Sequence, residues 1–381
     1  ERVERRQELG WRFDSRHAVY HSRIGAPTGR KPRRGARYAT GMTRSRFEDT
    51  GAGFERLARQ AGVDLPLEQT SAWDGFDGAI EGREPWHKLV WCVDGAPRAF
   101  IALTKMRGRG FTYLWAKHGP VWTAPQPTAA EESAFRSDLV RLVAGLDRSA
   151  VFVRLHAAHR AADLNELLQS VTFDRTVVLD LTAGEDALMA GMKKRGRRDV
   201  RKALRDASLV AAEETERAAE VFPELYELLV ETGARDSFGI SERSVYESML
   251  ASLGPEHCRL YTVRRDGRPL CWGIVTTTST QATYYYAASN EEGRKAGAPD
   301  LLVWSMASFL RSDGVRSFDL MGIDSDRAPQ LAGVRGFKTK FSENVVDVAG
   351  AWDVPVHPLR YRILVAALAA KRGLLARLRS R

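Results

Sequence analysis

From residue 54 onward, apolar residues recur in short blocks separated by polar turns. Residues 89–93, 99–103 and 111–115 are strand-like runs, and a Gly119-Pro120 turn follows them. Residues 130–146 then carry apolar side chains at helical spacing, which predicts a helix. A strand over 151–155, a short helix over 163–168 and a strand over 177–181 complete a first unit. A second unit opens with a helix over 186–206, with Gly196 as a candidate break, and continues with helices over 218–232 and 244–253. Strands over 259–263, 270–277 and 283–287 follow. Asp266-Gly267, between the first two of these, is a hairpin signal. A helix over 301–312 and a strand over 317–320 finish the unit. Strands and helices alternate in both halves, so the class is α/β. The similar order of elements suggests a duplicated α/β unit.

Residues 1–41 break this pattern. The stretch 25–37 is rich in Gly, Pro and Arg and nearly lacks large apolar side chains. It cannot bury enough surface to offset the entropy of ordering it. It reads as a basic, disordered arm, or as an extension upstream of Met42. At the other end, residues 359–381 form a basic amphipathic helix with Ile363, Leu364, Leu368, Leu374, Leu375 and Leu378. Two placements suit it: packed back on the first unit, or laid on an anionic membrane surface.

Composition narrows the picture. The 381 residues are enough for two cores. A net charge of +10 points to an anionic partner such as RNA, a nucleotide or a membrane face. Cys92, Cys258 and Cys271 are odd in number and far apart, so neither a disulfide framework nor a metal spacing is visible, and a reducing compartment is expected. No run approaches the ~18 apolar residues of a membrane span, and no secretory leader opens the chain. The expectation is a cytoplasmic protein, with peripheral contact at the inner membrane face as a further option.

No Ser/His/Asp order, metal cluster or phosphate-gripping loop stands out. The scattered His87, His118, His156 and His159 read as structural or exposed. Chemistry by positioning and oxyanion stabilisation, as in acyl transfer to an amine, fits such a chain. Three segments carry candidates. In residues 192–205, helical spacing gathers Lys194, Arg197, Arg198, Arg201 and Arg205 into a face suited to phosphates, or simply to solvent. In the Tyr284-Tyr285-Tyr286 strand, alternation sends Tyr284 and Tyr286 to one face, lining either a core or a pocket. In residues 318–323 and 336–341, Gly322 would let a ligand approach backbone closely. Lys338, between Phe337 and Phe341, is either a fixed cation in a partly dry site or a snorkelling surface lysine.

Together these segments resemble the Fem family of aminoacyl-tRNA-dependent peptidyl transferases. The likeness runs through the basic helix, Tyr226, residues 231–236, Phe238, Arg243 and Tyr246. It continues through residues 284–289, 298–304, 318–323 and 336–338. Residues 69–73, 119–121 and Arg154 extend it more loosely into the first unit. The resemblance implies two tandem acetyltransferase-like (GNAT-like) domains facing a cleft, without a coiled-coil arm. They would comprise residues 42–180, completed by 345–381, and residues 181–344. It implies transfer of an amino acid from aminoacyl-tRNA to an amine of a peptidoglycan-precursor stem peptide, lipid-linked or UDP-linked, with the charged tRNA as co-substrate and no other cofactor or metal.

It also implies roles for single residues. Lys338 would stabilise the tetrahedral intermediate, with Phe337 beside it. Arg243 would grip the precursor's phosphates, and Tyr246, Tyr284, Tyr286, Asp319, Gly322, Arg154 and Trp73 would contribute to substrate binding. Lys193, Lys194, Arg197, Arg198 and Arg201 would meet tRNA. Where the family has an acidic residue after the arginine matching Arg154, this chain has His156, a candidate base. A family tyrosine corresponds to Val151, and a family phosphate-binding lysine falls near Asp77. These departures admit a peptide acceptor outside the cell wall. Two other readings compete. Residues 294–299, with Arg294 and Gly297 but ending in Pro299, are a degenerate version of the loop that cradles coenzyme A in N-acyltransferases. A non-catalytic RNA- or membrane-binding protein would also account for the charge.

Overall fold

The computed structural model describes residues 44–108, 110–168, 172–236 and 239–379, without the side chains of residues 373–379. The basic arm over 1–41 and Phe238 lie outside the described residues.

The first unit contains β1 (Ser45–Asp49), α1 (Phe54–Gln60), α2 (Ser71–Gly78), β2 (Arg83–Val93), β3 (Ala96–Gly108), β4 (Phe111–Trp115), β5 (Val121–Trp122), α3 (Ala129–Leu146) and β6 (Ala150–Ala157). The second contains β7 (Arg175–Asp180), α4 (Glu185–Gly191), α5 (Lys194–Leu204), β8 (Val210–Glu213), α6 (Ala218–Asp236), α7 (Arg243–His257), β9 (Cys258–Arg265), β10 (Arg268–Thr277), β11 (Gln281–Ser289), α8 (Glu291–Ala296), α9 (Ala298–Ser312), β12 (Ser317–Gly322), α10 (Ala332–Lys338) and β13 (Val345–Asp347). The chain then returns to the first unit as β14 (Gly350–Pro355) and α11 (Pro358–Arg379).

Each unit is built on a seven-stranded sheet. The first runs β1-β2-β3-β4-β6-β14, with β5 beside β3; the second runs β13-β7-β12-β11-β10-β9-β8. Each has one parallel pair among antiparallel neighbours: β4 with β6, and β11 with β12. The second pair is brief. Only Gln281–Thr283 of β11 pair with Ser317–Asp319 of β12. Beyond that point β11 stays with β10 and β12 stays with β7, so the two strands part.

Helices cover both faces of the second sheet. Val200, Ala203, Leu302, Met306 and Leu310 of α5 and α9 pack with Phe318 and Tyr284 on one face. On the other, Phe222, Leu225 and Leu229 of α6 and Tyr246 and Met249 of α7 pack with Trp272 and Tyr285. Trp73 and Phe76 of α2, a helix of the first unit, enter that second cluster. In the first unit, α3 seals its sheet through Phe135, Leu139 and Val143, and its start is fixed by a Thr128–Glu131 capping box.

Several expectations change. The strand near 177–181 pairs in the second sheet, with β12 and β13, rather than closing the first unit. Residues 163–168 form no helix. The helix over 186–206 breaks at Met192-Lys193 instead of Gly196. Gly196 lies inside α5 because only a glycine lets that helix press on the chain at Lys340, whose carbonyl oxygen would stand 2.2 Å from an added Cβ. The Asp266-Gly267 hairpin forms as expected, with φ of 50° and 78°. At its start α11 packs back on the first sheet, while Leu359, Ile363 and Val365 stay exposed. Tyr361 is buried against Phe152, and Arg360 donates to the Arg148 carbonyl at 2.7 Å. Among the described residues, no helix is long and apolar enough to cross a membrane.

Candidate active site

Where β11 and β12 part, a cavity of about 590 Å³ opens. The C-terminal half of β11 forms its floor through Tyr284, Ala287 and Ser289. The other walls come from α5, the end of α6, the α8–α9 turn and α10. Lys338, Phe337, Tyr284 and Arg198 all line it, so residues from three separate sequence segments meet in one place.

Lys338 is the last residue of α10 and is half-buried. Its Nζ donates to the Gly322 carbonyl oxygen at 2.8 Å. Burial pushes its pKa down to about 8, partly offset by Asp319. Asp319 is buried on β12. It accepts from the Thr176 hydroxyl and from the Met321 N–H at 2.6 Å. Burial pushes its pKa up to about 6, opposed by these donors and by Lys338. Met321 has φ of 66°, a strained value for a residue with a Cβ. The Asp319 carboxylate holds that bend in place, and the bend turns the Gly322 carbonyl toward Lys338. Asp319 thus sits behind the cation rather than at the pocket surface. Gly322 is small for a different reason from the one its sequence suggested: the Phe173 ring occupies the space of a Cβ, at 2.3 Å.

The cation over the paired phenylalanines is Lys340, not Lys338. Lys340 Nζ lies 4.7 Å from the Phe337 ring centre and 5.1 Å from that of Phe341. It ion-pairs with Asp300 on α9 and lies 3.9 Å from Asp199 on α5. Helical spacing places residue 340 one turn after 337, so the Phe337/Lys340/Phe341 grouping was readable in the sequence.

The tyrosines divide differently from simple alternation. A β-bulge between Ile274 and Val275 leaves Tyr285 unpaired opposite β10. The extra residue reverses the facing beyond it. Tyr284 therefore faces the pocket side, packed on Phe318 where Gly273 leaves room for its ring. Tyr285 and Tyr286 face the other way, against Trp73 and Tyr246 respectively. Burial raises the Tyr284 pKa, so its hydroxyl stays protonated.

Of the basic-helix residues, Arg198 lines the pocket, joined by Arg195 and Lys202. Arg197 turns back to the Ala190 and Met192 carbonyls and closes the end of α4. Lys193 reaches Thr339, while Lys194 and Arg201 face solvent. The rim is extended by Arg235, Arg294 and Lys295.

Other candidates lie elsewhere. Arg243 is half exposed and ion-paired with Glu247 one turn on, at 2.9 Å. Tyr246 is core, with its hydroxyl accepting from the Ser241 N–H. Trp73 is core between the units, 5.6 Å from Tyr285 and under the Lys117 ammonium. Asp77, at the place of the family's lysine, is buried and clasped by Lys117 at 2.6 and 2.7 Å. Arg154 is buried and bidentate to Asp353, at 2.7 and 3.1 Å, which ties β6 to the returning β14. His156 is buried on the same strand, its Nδ1 donating to the Ala349 carbonyl at 2.8 Å. Burial lowers its pKa to about 4, so it is neutral and a weak base. Neither Arg154 nor His156 lines the pocket with Lys338. Cys92, Cys258 and Cys271 are buried free thiols, and among the described residues no group of metal-ligating side chains forms.

Residues 192–329 match the family model of the acetyltransferase (GNAT) domain. No curated protein matches the chain. Among solved structures, the fold is similar to that of FemX, at 14% identity and a TM-score of 0.65, over 84% of this chain and 99% of that one. It is also similar to a tandem GNAT protein from the clavulanic acid biosynthesis pathway, at 12% identity and a TM-score of 0.51, over 83% of this chain and 99% of that one. The likeness is one of fold: two GNAT-like units in tandem, with no coiled-coil arm among the described residues.

Proposed function

We propose that this protein is an aminoacyltransferase that moves an amino acid from aminoacyl-tRNA to an amine of a peptidoglycan-precursor stem peptide. The observation that carries the reading is the position of Lys338. Its ammonium is half-buried at a pocket whose rim bears Arg195, Arg198, Lys202, Arg235, Arg294 and Lys295. A half-buried cation below, with an arginine rim above, suits an ester joined to a phosphodiester chain. The likeness in fold to FemX and the sequence resemblance to the Fem family support the same donor and acceptor.

In the proposed reaction the acceptor amine attacks the ester carbonyl carbon. The C–N bond forms, negative charge collects on the carbonyl oxygen, and the Lys338 ammonium stabilises it. Collapse breaks the bond to the ribose oxygen, which takes the proton that the amine gives up. No metal or redox partner is needed for this balance. Phe337 lends the floor an apolar surface, and the Lys340–Asp300 pair beside it is closed on itself.

The GNAT match over residues 192–329 supports a second reading, an N-acyltransferase using acyl-coenzyme A. One assay separates the two. The protein is incubated with total tRNA charged with radiolabelled amino acids and a lipid-linked muropeptide precursor, and in parallel with labelled acetyl-coenzyme A. RNase-sensitive transfer of label into the precursor is expected. Transfer from acetyl-coenzyme A alone would refute the tRNA reading, and transfer from neither donor would refute the acceptor.

A further inference from the structure

The pocket has two places where an anion could be held, and they are not equivalent. One is the N-terminus of α9, since free peptide N–H groups at a helix start ordinarily attract phosphate. Here few of those groups are available. Pro299 has no N–H. The N–H groups of Asp300 and Leu301 both donate to the Gly297 carbonyl, at 3.0 and 3.2 Å. Asp300 then places a carboxylate in the first turn, buried against Lys340. Its charge cancels that of Lys340, so the helix end offers an arriving pyrophosphate no net positive charge.

The other place is the end of β11. The Ser289 carbonyl oxygen accepts from Arg235 Nη1 at 2.8 Å and from Arg294 Nη1 at 3.1 Å, while the Thr232 hydroxyl donates to the Leu228 carbonyl at 2.7 Å. A carbonyl oxygen has two lone pairs, and the two guanidiniums fill both. Two guanidinium groups therefore converge on one neutral oxygen. Asp236 pairs with Arg235, and the nearby Glu291 is engaged by Lys295 at 2.6 Å. The convergence leaves more positive charge than its own carboxylate offsets. Arg294 gives Ser289 only one of its five N–H groups, so a phosphate oxygen at the pocket rim can accept from the others beside Arg235.

We propose that Arg235 and Arg294 form the phosphodiester subsite for the 3′ end of the RNA donor, and that Asp300 bars a pyrophosphate-bearing donor such as acyl-coenzyme A from the neighbouring helix end. The inference rests on the aminoacyl-tRNA reading above. It assigns donor selection to residues that do not touch the reacting ester.

The test measures binding of a fluorescent acceptor-stem minihelix ending in CCA, and of coenzyme A, across a salt series. Arg235→Gln and Arg294→Gln are each expected to weaken minihelix binding roughly tenfold and to lower the salt slope by about one phosphate. Asp300→Asn is expected to leave minihelix binding within about twofold of wild type while raising coenzyme A affinity about tenfold, by removing charge from the helix end. Circular dichroism melts confirm that the variants fold. Unchanged minihelix binding in both arginine variants overturns the subsite while leaving the tRNA reading intact. Coenzyme A binding that Asp300→Asn does not alter overturns the gate. A wild-type protein that binds coenzyme A but no minihelix overturns the donor reading itself, and the subsite with it.

Discussion

Replacing Lys338 by methionine keeps the bulk of the side chain and removes its charge. An oxyanion formed roughly 3 Å from the ammonium would gain about 5 kcal/mol at an effective dielectric of about 20. Part of that cation's field is already shared with the Gly322 carbonyl and with Asp319. The net loss should therefore be about 3–4 kcal/mol, the scale seen when a single oxyanion donor is removed, or about 10²–10³ in kcat. The pH dependence gives a sharper test. With a pKa of about 8, Lys338 is charged below that pH and neutral above it. A rate that needs the cation falls as pH rises through about 8; a rate that needs the free amine as a base rises instead. Dividing the wild-type rate by the Lys338→Met rate at each pH cancels the acceptor amine's own ionisation. Arginine stays charged throughout, so Lys338→Arg should keep part of the activity and lose the alkaline fall. Single-turnover transfer from purified aminoacyl-tRNA is the assay. A methionine variant within threefold of wild type, or a ratio that climbs through pH 8, would refute the cation role.

Asp319→Asn should raise stability at neutral pH. The folded carboxyl titrates at about 6 against 3.8 unfolded, so burial stabilises its protonated form, and that stability is lost as pH rises through 6. The stability gap between the variant and wild type in urea should widen by about 1 kcal/mol between pH 5 and pH 7; a gap that narrows would contradict the burial argument. Gly196→Ala should destabilise by about 1–3 kcal/mol despite alanine's helix preference, because the new methyl meets backbone at 2.2 Å rather than a movable side chain; a rise in Tm would show that α5 can shift. His156→Gln should leave the shape of the pH–rate profile unchanged, since a neutral ring with a pKa of about 4 has no charge to lose near pH 7; loss of a limb between pH 5 and 8 would restore it as the base.

Local signals survived into the fold. Asp266-Gly267 made its hairpin, the amphipathic run over 130–146 made α3, and the arginine-bearing helix did present Arg198 to a pocket containing Lys338 and Tyr284. What failed to show depended on contacts far along the chain or on single-residue irregularities. Arg154 looked like a substrate residue because its partner, Asp353, lies 199 positions away. Tyr286 changed face because one bulge inserts one residue, which no alternation rule detects. The choice between Lys338 and Lys340 was by contrast legible, since one helical turn from Phe337 reaches Lys340. Arg235 and Arg294 sit on different helices and meet only at Ser289, so their pairing is invisible until the sheet is built.

The insertion of α2 into the core of the second unit has a consequence for how the molecule can be taken apart. Trp73 and Phe76 fill space between α6, α7 and the second sheet, and β14 and α11 return to the first sheet after the second unit is finished. Neither half is a portable module. Expressing residues 175–347 alone would leave a tryptophan-sized hole beneath Tyr285, and expressing the first half alone would strip β6 of its outer neighbour and Arg154 of its carboxylate. Melting should therefore be a single event for both halves, and swapping either one into another protein of two tandem GNAT-like units would succeed only if α2 and the terminal segment travelled with their hosts.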